Sequence, residues 1–377
     1  MPKQKYLWCF KMGIKQIEVY PVTLHYKEPF RIAPSTSTET RNVVVKMVTD
    51  YNVVGWGESS PSKRVTGESA ETVINTLDKL APKLIGSCPS RIELTKEKMD
   101  LSVKENPAAK AAVDMALYDV LGKTCNKPLF MLLGGYRSEV MTDITLSIKS
   151  PKEMAKDASR AVKEGFKALK VKVGVNPSED VERVKMVREA AGNSVELRVD
   201  ANQGWTPRQA TAVLTKMAKY DVKFVEQPVP AENVEGLASV RKNSSIPVMA
   251  DESVHSPADA LRLIQAEAVD MINIKLMKSG GIHEARKIAE VAEAAGVPCM
   301  IGCMGESELG IAAAVHLAAA IKNIQYTDLD SDLLLRDKVA GDGLKVQDSR
   351  RPLPNLPGLG VKEIDRKRLG TPVKVYR

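Results

Sequence analysis

A short stretch near the middle of the chain alternates apolar and basic residues. Residues 168–173 read Ala-Leu-Lys-Val-Lys-Val, and this period of two predicts a β-strand. Because side chains two residues apart on a strand point the same way, Lys170 and Lys172 share one face and the apolar residues share the other. Taken alone, the stretch fits an edge strand with a solvated lysine face. The residues that follow it argue against that interpretation.

Four further apolar runs each end in a charged residue and follow a helix-like segment. They end at Asp200, Glu226, Asp251 and Lys275, and counted from the lysine stretch the spacing is roughly 24 to 28 residues. This is the size of one strand-plus-helix unit in a (β/α) barrel, whose strands converge on one mouth at their carboxyl ends. We therefore expect these side chains and the two lysines to face one another across a cavity.

The chain before this repeat has a different pattern. Residues 13–24 alternate like a strand, residues 42–54 like a hairpin, and three helical stretches then reach residue 121. Segments 29–41 and 57–66 lack periodicity and are predicted to be loops. The predicted fold class is α/β, with an antiparallel α+β domain before a barrel of eight strand-like runs. We place an extension at 1–12, the α+β domain at 13–136, the barrel at 137–333 and a C-terminal segment at 334–377 that packs on the first domain.

Composition and charge exclude several functions. The chain has 377 residues and a formal charge of +8, but its basic residues are scattered among acidic ones and aromatic residues are sparse, which disfavours nucleic-acid binding. No apolar run approaches the length of a membrane span, so no membrane partner is expected. The five cysteines do not have metal-ligand spacing, and we interpret them as reduced thiols of a cytoplasmic protein.

The three acids that end apolar runs, Asp200, Glu226 and Asp251, are candidate metal ligands. Carboxylate oxygens from successive strands suit Mg²⁺, which usually keeps positions for substrate or water. The alternative is that each acid caps a helix or pairs with a lysine. That alternative explains one such acid readily and three in phase poorly.

Lys172 and Lys275 are candidate acid–base residues beside that ion. Removing a proton next to a carboxylate requires stabilisation of the resulting enolate, which a metal ion supplies. A lysine among other cations is expected to have a lowered pKa and to act as a base near neutral pH. Two opposed lysines fit racemisation or epimerisation, whereas one fits dehydration or cycloisomerisation.

Together these motifs resemble those of the enolase superfamily, muconate-lactonizing subgroup. Lys170-Val171-Lys172 is similar to its K-x-K motif, the three acids stand in segments similar to its metal-ligand motifs, and residues 273–278 are similar to its sixth-strand lysine motif. The resemblance extends from about residue 13 to residue 360. It implies an α+β capping domain over a (β/α)7β modified TIM barrel, one Mg²⁺ per subunit, a homo-oligomer, and loops 29–41 and 57–66 that close over the substrate.

Within that superfamily the chain is most similar to dipeptide epimerases, which invert the α-carbon of a dipeptide's C-terminal residue. Asp328 and Asp330 resemble the aspartate pair that holds the substrate's ammonium group in that family. By the same resemblance, Lys172 and Lys275 exchange the α-proton, and Lys170 stabilises the enolate and keeps the pKa of Lys172 low. Residues 302–307, Met304 among them, are similar to the family's seventh-strand end.

The substrate's second residue is expected to be non-acidic. Ser35 stands where the Ala-Glu-specific members carry an arginine, and a buried carboxylate without a partner is costly. Asp332, just past the aspartate pair, favours a cationic side chain, whereas Lys63 and Arg64 oppose one or restore recognition of an acid. The sequence therefore indicates a hydrophobic or aromatic second residue, with a cationic one as the next option.

Two other interpretations stay open. The same site would serve N-acylamino acid racemisation, o-succinylbenzoate synthesis or muconate cycloisomerisation, none of which needs Asp328 and Asp330 as a cation site. A non-catalytic, metal-stabilised binding protein is the alternative from another class, and it has no use for the paired lysines.

Overall fold

Antiparallel strands form the first sheet. The structure is a computed structural model that describes residues 12–33, 35–341, 344–361 and 364–377, so residues 1–11 of the predicted extension lie outside the described residues. The strands β1 (Ile14–Ile32), β2 (Ser35–Thr49) and β3 (Val54–Ser59) pair in sequence order, and the C-terminal β14 (Lys374–Tyr376) pairs with β1. The end of the chain therefore packs on the N-terminal sheet.

The predicted loop at 29–41 is wrong, because this segment is the tip of the β1–β2 hairpin. The register there pairs Phe30 with Ser37, Arg31 with Thr36 and Ile32 with Ser35. Most side chains of residues 35–41 are exposed or half-buried, so no apolar face marks the strand in the sequence. The backbone ladder holds the segment instead, and Thr is well suited to strands. In the second predicted loop, 57–66, only the residues after Ser59 lie outside β3.

Three helices cover this sheet. They are α1 (Ala70–Leu84), α2 (Ile92–Ser102) and α3 (Pro107–Thr124). Helix α3 is buried along nearly its whole length because the sheet covers one side and the barrel covers another. A Cβ atom at Gly57 would collide with the Ala112 carbonyl of α3, so glycine is what allows the helix to approach the sheet this closely.

Eight parallel strands form the second sheet. The short α4 (Leu129–Leu133) and β4 (Glu139–Met141), which pairs with β13 (Arg350–Pro352), precede it. The eight strands, hydrogen-bonded in sequence order, are β5 (Ile144–Leu146), β6 (Ala168–Lys172), β7 (Glu196–Asp200), β8 (Val222–Glu226), β9 (Val248–Ala250), β10 (Met271–Lys275), β11 (Cys299–Gly302) and β12 (Ile324–Asp328). Because β6 lies between β5 and β7, the edge-strand interpretation of the lysine stretch is wrong.

Helices alternate with these strands. They are α5 (Pro151–Lys163), α6 (Pro177–Ala191), α7 (Pro207–Met217), a 3₁₀ turn (Ala218–Tyr220), α8 (Val234–Asn243), α9 (Pro257–Gln265), α10 (Leu276–Ser279), α11 (Ile282–Ala294), α12 (Glu308–Ala320), α13 (Ser331–Leu334) and, near the C-terminus, α14 (Arg366–Leu369). Helix α5 begins with a capping box, in which Ser150 and Glu153 satisfy each other's backbone N–H groups. Local signals of this kind set where the helices begin.

Side chains complete the barrel where the last strand meets the first. The Leu329 N–H donates to Thr142 Oγ1 at 2.9 Å, and the Thr145 N–H donates to Asp330 Oδ2 at 2.6 Å. The interior below the mouth is filled by Phe224 and buried methionines of three other strands. The fold is thus a barrel with a packed interior and an open carboxyl-end mouth, the class that the sequence predicts.

Glu58 of β3 fixes the first domain over that mouth. It is fully buried and accepts hydrogen bonds from the Ser307 Oγ at 2.7 Å and the Gly310 N–H at 2.8 Å. Asn42 of β2 donates to Glu58 and to the Gly305 carbonyl, each at 2.8 Å. These contacts join the sheet to the residues that follow β11, so the first domain stands at the carboxyl ends of the barrel strands.

Candidate active site

Lys170 is the centre of a buried cluster of opposite charges. Its Nζ lies 3.0 Å from Asp200 Oδ2, 2.8 Å from Glu226 Oε2 and 2.6 Å from Asp328 Oδ2. Lys172, on the same face of β6, donates to Asp200 Oδ2 at 2.6 Å. The alternation in the sequence therefore brings both lysines to the acids at the ends of the neighbouring strands.

Asp251 joins the cluster from the other side. Lys275 Nζ donates to Asp251 Oδ2 at 2.7 Å, and Lys278 Nζ donates to Asp251 Oδ1 at 2.6 Å. Lys278 has no assigned role in the sequence analysis, although it follows Lys275 by one helical turn of α10. That spacing of three residues, which puts two side chains on one side of a helix, is the signal that could have found it.

The lysines stand on opposite walls of the mouth. Lys172 ends β6 and Lys275 ends β10, and these strands lie four positions apart in the eight-stranded order. In an eight-stranded barrel, strands four positions apart face each other. Asp200 at the end of β7, Glu226 at the end of β8 and Asp251 directly after β9 fill the arc between the two lysines.

Burial and charge together set the pKa values of the acids. Burial raises the pKa of Asp200, but Lys170 and Lys172 outweigh it and lower the pKa to about 2. For Glu226, burial and the charge of Asp200 outweigh the lysines, and its pKa rises to about 8. Burial also opposes ionisation of Asp251, yet Lys275 and Lys278 hold its pKa well below the usual range.

The expected lowering of a lysine pKa is wrong for Lys275. Burial lowers the pKa of its ammonium group, but Asp251 and Glu226 outweigh burial and raise it above the usual range. For Lys170, burial likewise lowers the pKa, but the negative charges of Asp200 and Asp328 outweigh it and raise the pKa above the usual range. The carboxylates lie nearer to these ammonium groups than the other cations do, so they decide the direction of the shift.

The three acids fit a hard divalent cation. Glu226 Oε1 accepts from Asn273 Nδ2 at 2.9 Å, and the buried Glu226 Oε2 lies 2.8 Å from Lys170 Nζ. Carboxylate oxygens from the ends of three adjacent strands are the donor set that Mg²⁺ prefers. Asp200, Glu226 and Asp251 are the residues that would hold such an ion.

Polar residues just beyond the strands orient these acids. Gln227 accepts from the Asp251 N–H at 2.9 Å and donates to Ser253 Oγ at 2.8 Å. Asn202 accepts from Lys172 Nζ at 3.1 Å and donates to Glu252 at 3.1 Å. Both residues adopt left-handed backbone angles, with φ of 36° at Gln227 and 41° at Asn202. Such strain persists where surrounding bonds hold it, as at functional sites.

Asp328 and Asp330 lie at the end of β12 beside the cluster. Asp328 contacts Lys170, while Asp330 Oδ1 faces Cys303 Sγ at 3.8 Å. Both acids are almost fully buried. Burial and the charge of Asp328 raise the pKa of Asp330 to about 6. The predicted aspartate pair is thus adjacent to Lys170, with Cys303 between Asp330 and the cavity.

A cavity of about 1040 Å³ lies between the barrel mouth and the first domain. Its floor includes Lys172, Lys275 and Asp251, and its walls include three of the predicted substrate-binding residues, Ser35, Arg64 and Met304. Apolar side chains of the hairpin tip and the β3–α1 loop line it as well: Phe30, Ile32, Ala33 and Val65. The two predicted loop segments therefore do form part of the cavity, although the first is a hairpin.

Asp332, like Asp328 and Asp330, does not line this cavity, but its whole carboxylate is held by another residue, and this corrects the expectation that it contacts a substrate cation. Its carboxylate pairs with the fully buried Arg351, with Oδ1 2.5 Å from Nη2 and Oδ2 3.1 Å from Nη1. Arg351 also donates to the Leu344 carbonyl at 2.6 Å. The bidentate pair connects the C-terminal segment to α13, so the role of Asp332 is structural. Its position two residues after Asp330 in the sequence does not indicate this role.

Family comparisons agree with this arrangement over most of the chain. Residues 15–134 match the family described as mandelate racemase / muconate lactonizing enzyme, N-terminal domain, and residues 153–368 match the enolase C-terminal domain-like family. The chain belongs to the enolase superfamily.

Individual relatives show which members of the superfamily the chain resembles. An L-Ala-D/L-Glu epimerase of Clostridium acetobutylicum is 45% identical and covers 94% of this chain and 100% of its own. A solved dipeptide epimerase of Enterococcus faecalis, complexed with Mg and L-Leu-L-Tyr, is 43% identical with a TM-score of 0.91, covering 93% of this chain and 100% of its own. A solved N-succinyl Arg/Lys racemase of Bacillus cereus is 36% identical with a TM-score of 0.94, and the match covers 97% of this chain and 100% of the racemase chain.

These relatives have one class of reaction in common. Epimerases and racemases both invert a stereocentre, and this superfamily member is an isomerase of that class. No helix in the described ranges is both long and apolar enough to cross a membrane.

Proposed function

We propose that the chain is a Mg²⁺-dependent dipeptide epimerase, which inverts the α-carbon of the C-terminal residue by moving a proton between two lysines. The observation that carries this proposal is the placement of Lys172 and Lys275 on opposite walls of one mouth, with three carboxylates between them. Racemisation needs such opposed groups because the proton leaves one side of the carbon and returns on the other.

Asp200, Glu226 and Asp251 hold Mg²⁺ in this proposal. When bound, Mg²⁺ supplies positive charge beside the substrate carboxylate and so favours removal of the α-proton. The relatives of Enterococcus faecalis, Cytophaga hutchinsonii and Methylococcus capsulatus were each solved with Mg and a dipeptide, which supports this choice of metal. Gln227, Asn202 and Asn273 keep the three carboxylates oriented.

The three lysines have different roles in the proposed reaction. One of Lys172 and Lys275 removes the α-proton and the other donates a proton to the opposite face, so their roles exchange with the direction of the reaction. Lys170, held among Asp200, Glu226 and Asp328, adds fixed positive charge near the developing enolate. Its side chain is only 1% exposed, so water does not screen that charge.

Asp328 and Asp330 bind the ammonium group of the dipeptide's first residue. Two carboxylates on one strand end, close to the lysines, suit a substrate with a free amino terminus. An N-succinyl substrate would instead bring a further negative charge towards these acids. This charge argument favours a dipeptide over the N-acylated substrate named for the Bacillus cereus relative.

The second residue of the dipeptide is hydrophobic or aromatic in this proposal. Phe30, Ile32 and Met304 line the cavity, and Ser35 offers no charge to an acidic side chain. Arg41 also lines the cavity, but its Nε lies 2.9 Å from Glu39 Oε1, so that pair is neutral. Lys63 and Arg64 also line the cavity and are the cations that an acidic side chain would contact. Relatives named for Ala-Glu and for hydrophobic dipeptides are 45% and 44% identical, so identity does not choose between them.

Exchange of the α-proton in D₂O tests the proposal. The purified protein with Mg²⁺ is incubated with a library of L,L-dipeptides and with N-acetylated amino acids, and mass spectrometry reads deuterium uptake. We expect one deuterium on the C-terminal residue of L-Ala dipeptides that end in apolar or aromatic residues, and none in the N-acetylated compounds. A best substrate of L-Ala-L-Glu would contradict the predicted preference, and exchange confined to the N-acetylated compounds would contradict the dipeptide assignment.

A further inference from the structure

Cys303 places a thiol beside the aspartate pair, and binding an ammonium group does not require a thiol. It follows β11 directly and lines the cavity, and its Sγ lies 3.8 Å from Asp330 Oδ1. One possible ligand atom each from Cys303, Asp328 and Asp330 lie within 4.8 Å of one another. A sulfur and two carboxylate oxygens therefore converge on one point beside the substrate cavity.

A buried oxygen in this group has no hydrogen-bond donor. Asp328 is 3% exposed, and its Oδ2 contacts Lys170, but its Oδ1 is without a hydrogen-bond partner in the described ranges. Asp330 is 2% exposed, and its Oδ2 is held by the Thr145 N–H at 2.6 Å, so its Oδ1 is the oxygen that faces the thiol. Buried carboxylate oxygens normally have a donor or a cation, so Asp328 Oδ1 is available to bind a cation.

The donor set differs from that of the proposed Mg²⁺ site. Mg²⁺ takes oxygen ligands, whereas a thiolate with carboxylates suits a softer divalent ion such as Zn²⁺ or Cd²⁺. Lys170 contacts both Asp328 and the Asp200–Glu226 pair, so it separates the two sites and no ligand is common to them.

We propose that Cys303, Asp328 and Asp330 form a second cation site, which binds a thiophilic divalent ion in the place of the substrate's ammonium group. As the sulfur–metal bond forms, the Cys303 thiol releases its proton to solvent, and no oxidation state changes. Only the competition with the ammonium group rests on the proposed function. Binding of the ion itself does not.

Cadmium is the probe that reads the sulfur contact directly. Titrating Cd²⁺ into the Mg²⁺-loaded full chain should produce the ultraviolet charge-transfer absorption of a cadmium–thiolate bond. Cys303→Ser should weaken Cd²⁺ binding by more than about 100-fold. Loss of a residue that only supports a metal ligand typically costs about 10- to 100-fold, so a larger loss indicates that Cys303 binds the ion directly. Cys125→Ser, at an exposed cysteine, is the matched control and should bind like the parent protein. Equal thermal melting of both variants establishes that they are folded.

The competition is read by kinetics with the best dipeptide. Cd²⁺ should raise the apparent KM of the parent protein while leaving kcat unchanged, and Cys303→Ser should remove this effect. An absorption band that survives Cys303→Ser, or one that is absent from the parent protein, would overturn the site. Should no dipeptide turn over, the proposed function fails, but the absorption titration still decides the cation site on its own.

Discussion

At the scale of single residues, the site is a balanced set of buried charges. Lys170, Lys172, Lys275 and Lys278 contact carboxylates at 2.6 to 3.0 Å, and each of these lysines is at most 7% exposed. Removing one member of such a set leaves its partner buried and unpaired, which usually costs more than the pair contributes. Variants at the site therefore need conservative changes and matched controls.

Asp330→Asn separates substrate binding from stability. Asparagine keeps the acceptor for the Thr145 N–H but removes the negative charge, so we expect KM for a dipeptide to rise by about tenfold or more, the loss of one charged hydrogen bond. Thermal melting should change little, because the pKa of this acid is already raised by burial and by Asp328. Steady-state kinetics and a melting curve measure the two effects.

Asp332→Asn is the matched control, with the opposite pattern. It breaks the buried pair with Arg351 and should destabilise the fold by about 3 to 5 kcal/mol. Because both carboxylate oxygens of Asp332 are held by Arg351, KM should stay near that of the parent protein. A larger KM effect in Asp332→Asn than in Asp330→Asn would contradict the assignment of the ammonium site.

The sequence predicts single site residues where a side chain follows directly from strand position. Asp200, Glu226 and Asp251 end three apolar runs, so their convergence follows from the barrel alone. Gln227 could not be predicted, because its role depends on contacts to Asp251 and Ser253 beyond the next strand, whereas the spacing from Lys275 does point to Lys278. Asp332 was misjudged for a similar reason, since its partner Arg351 lies in the C-terminal segment and no local pattern joins the two.

At the scale of elements, Asp114 is a second buried carboxylate, besides Glu58, that links the two domains. Asp114 of α3 accepts from the Ile282 N–H at 2.5 Å and from the His283 N–H at 3.4 Å, at the first turn of α11. A carboxylate at a helix N-terminus is favoured by the helix dipole. Burial dominates here, however, and raises the pKa of Asp114 to about 7.

Asp114→Asn should change how stability depends on pH. Between the ordinary carboxyl pKa near 3.8 and about 7, the unfolded chain loses its proton while the folded chain keeps it, so stability falls as pH rises through this window. The shift of about three units corresponds to about 4 kcal/mol, which Asp114→Asn should not lose. Urea unfolding at pH 5 and pH 8 measures the difference between the two proteins, and a difference that stays constant with pH would contradict the account.

The hairpin tip is the element whose secondary structure the residue pattern predicts wrongly. Residues 29–41 have the Ser and Thr content of a loop, and the side chains of residues 35–41 have no buried face that would give a period of two. The strand there depends on pairing with its neighbour, which single-residue patterns do not contain. The barrel strands were predictable because their inward faces carry the buried residues and their ends carry the charges.

At the scale of the whole molecule, the site lies between two bodies that different parts of the chain build. The barrel supplies the acids and lysines, the first domain supplies the cavity roof, and Glu58 and Asn42 fix the two together. The C-terminal strand β14 then returns to the first sheet. The two-domain fold class could be predicted, whereas the fit between domains depends on long-range contacts.

Mg²⁺ should stabilise the whole molecule. An ion that binds only the folded chain adds about 2.7 kcal/mol at one hundred times its Kd, which for a chain of 377 residues raises Tm by about 3 °C. Differential scanning calorimetry with and without Mg²⁺ measures the shift. Asp251→Asn should abolish the shift in Tm. Asp270→Asn is the control and should leave the shift intact, because Asp270 precedes β10 and so lies at the end of that strand away from the mouth. An undiminished shift in Asp251→Asn would contradict the metal site.

The central claim is that Lys172 and Lys275 act on opposite faces of one carbon. Lys172→Ala and Lys275→Ala are each incubated in D₂O with the L,L and L,D forms of the best dipeptide, and deuterium uptake and epimer content are followed separately. We expect epimerisation to fall by about 10²-fold or more in both variants, while each variant still exchanges the α-proton of one epimer, and not the same one. Exchange of the same epimer by both variants, or epimerisation at the parent rate in either, would contradict the two-lysine mechanism.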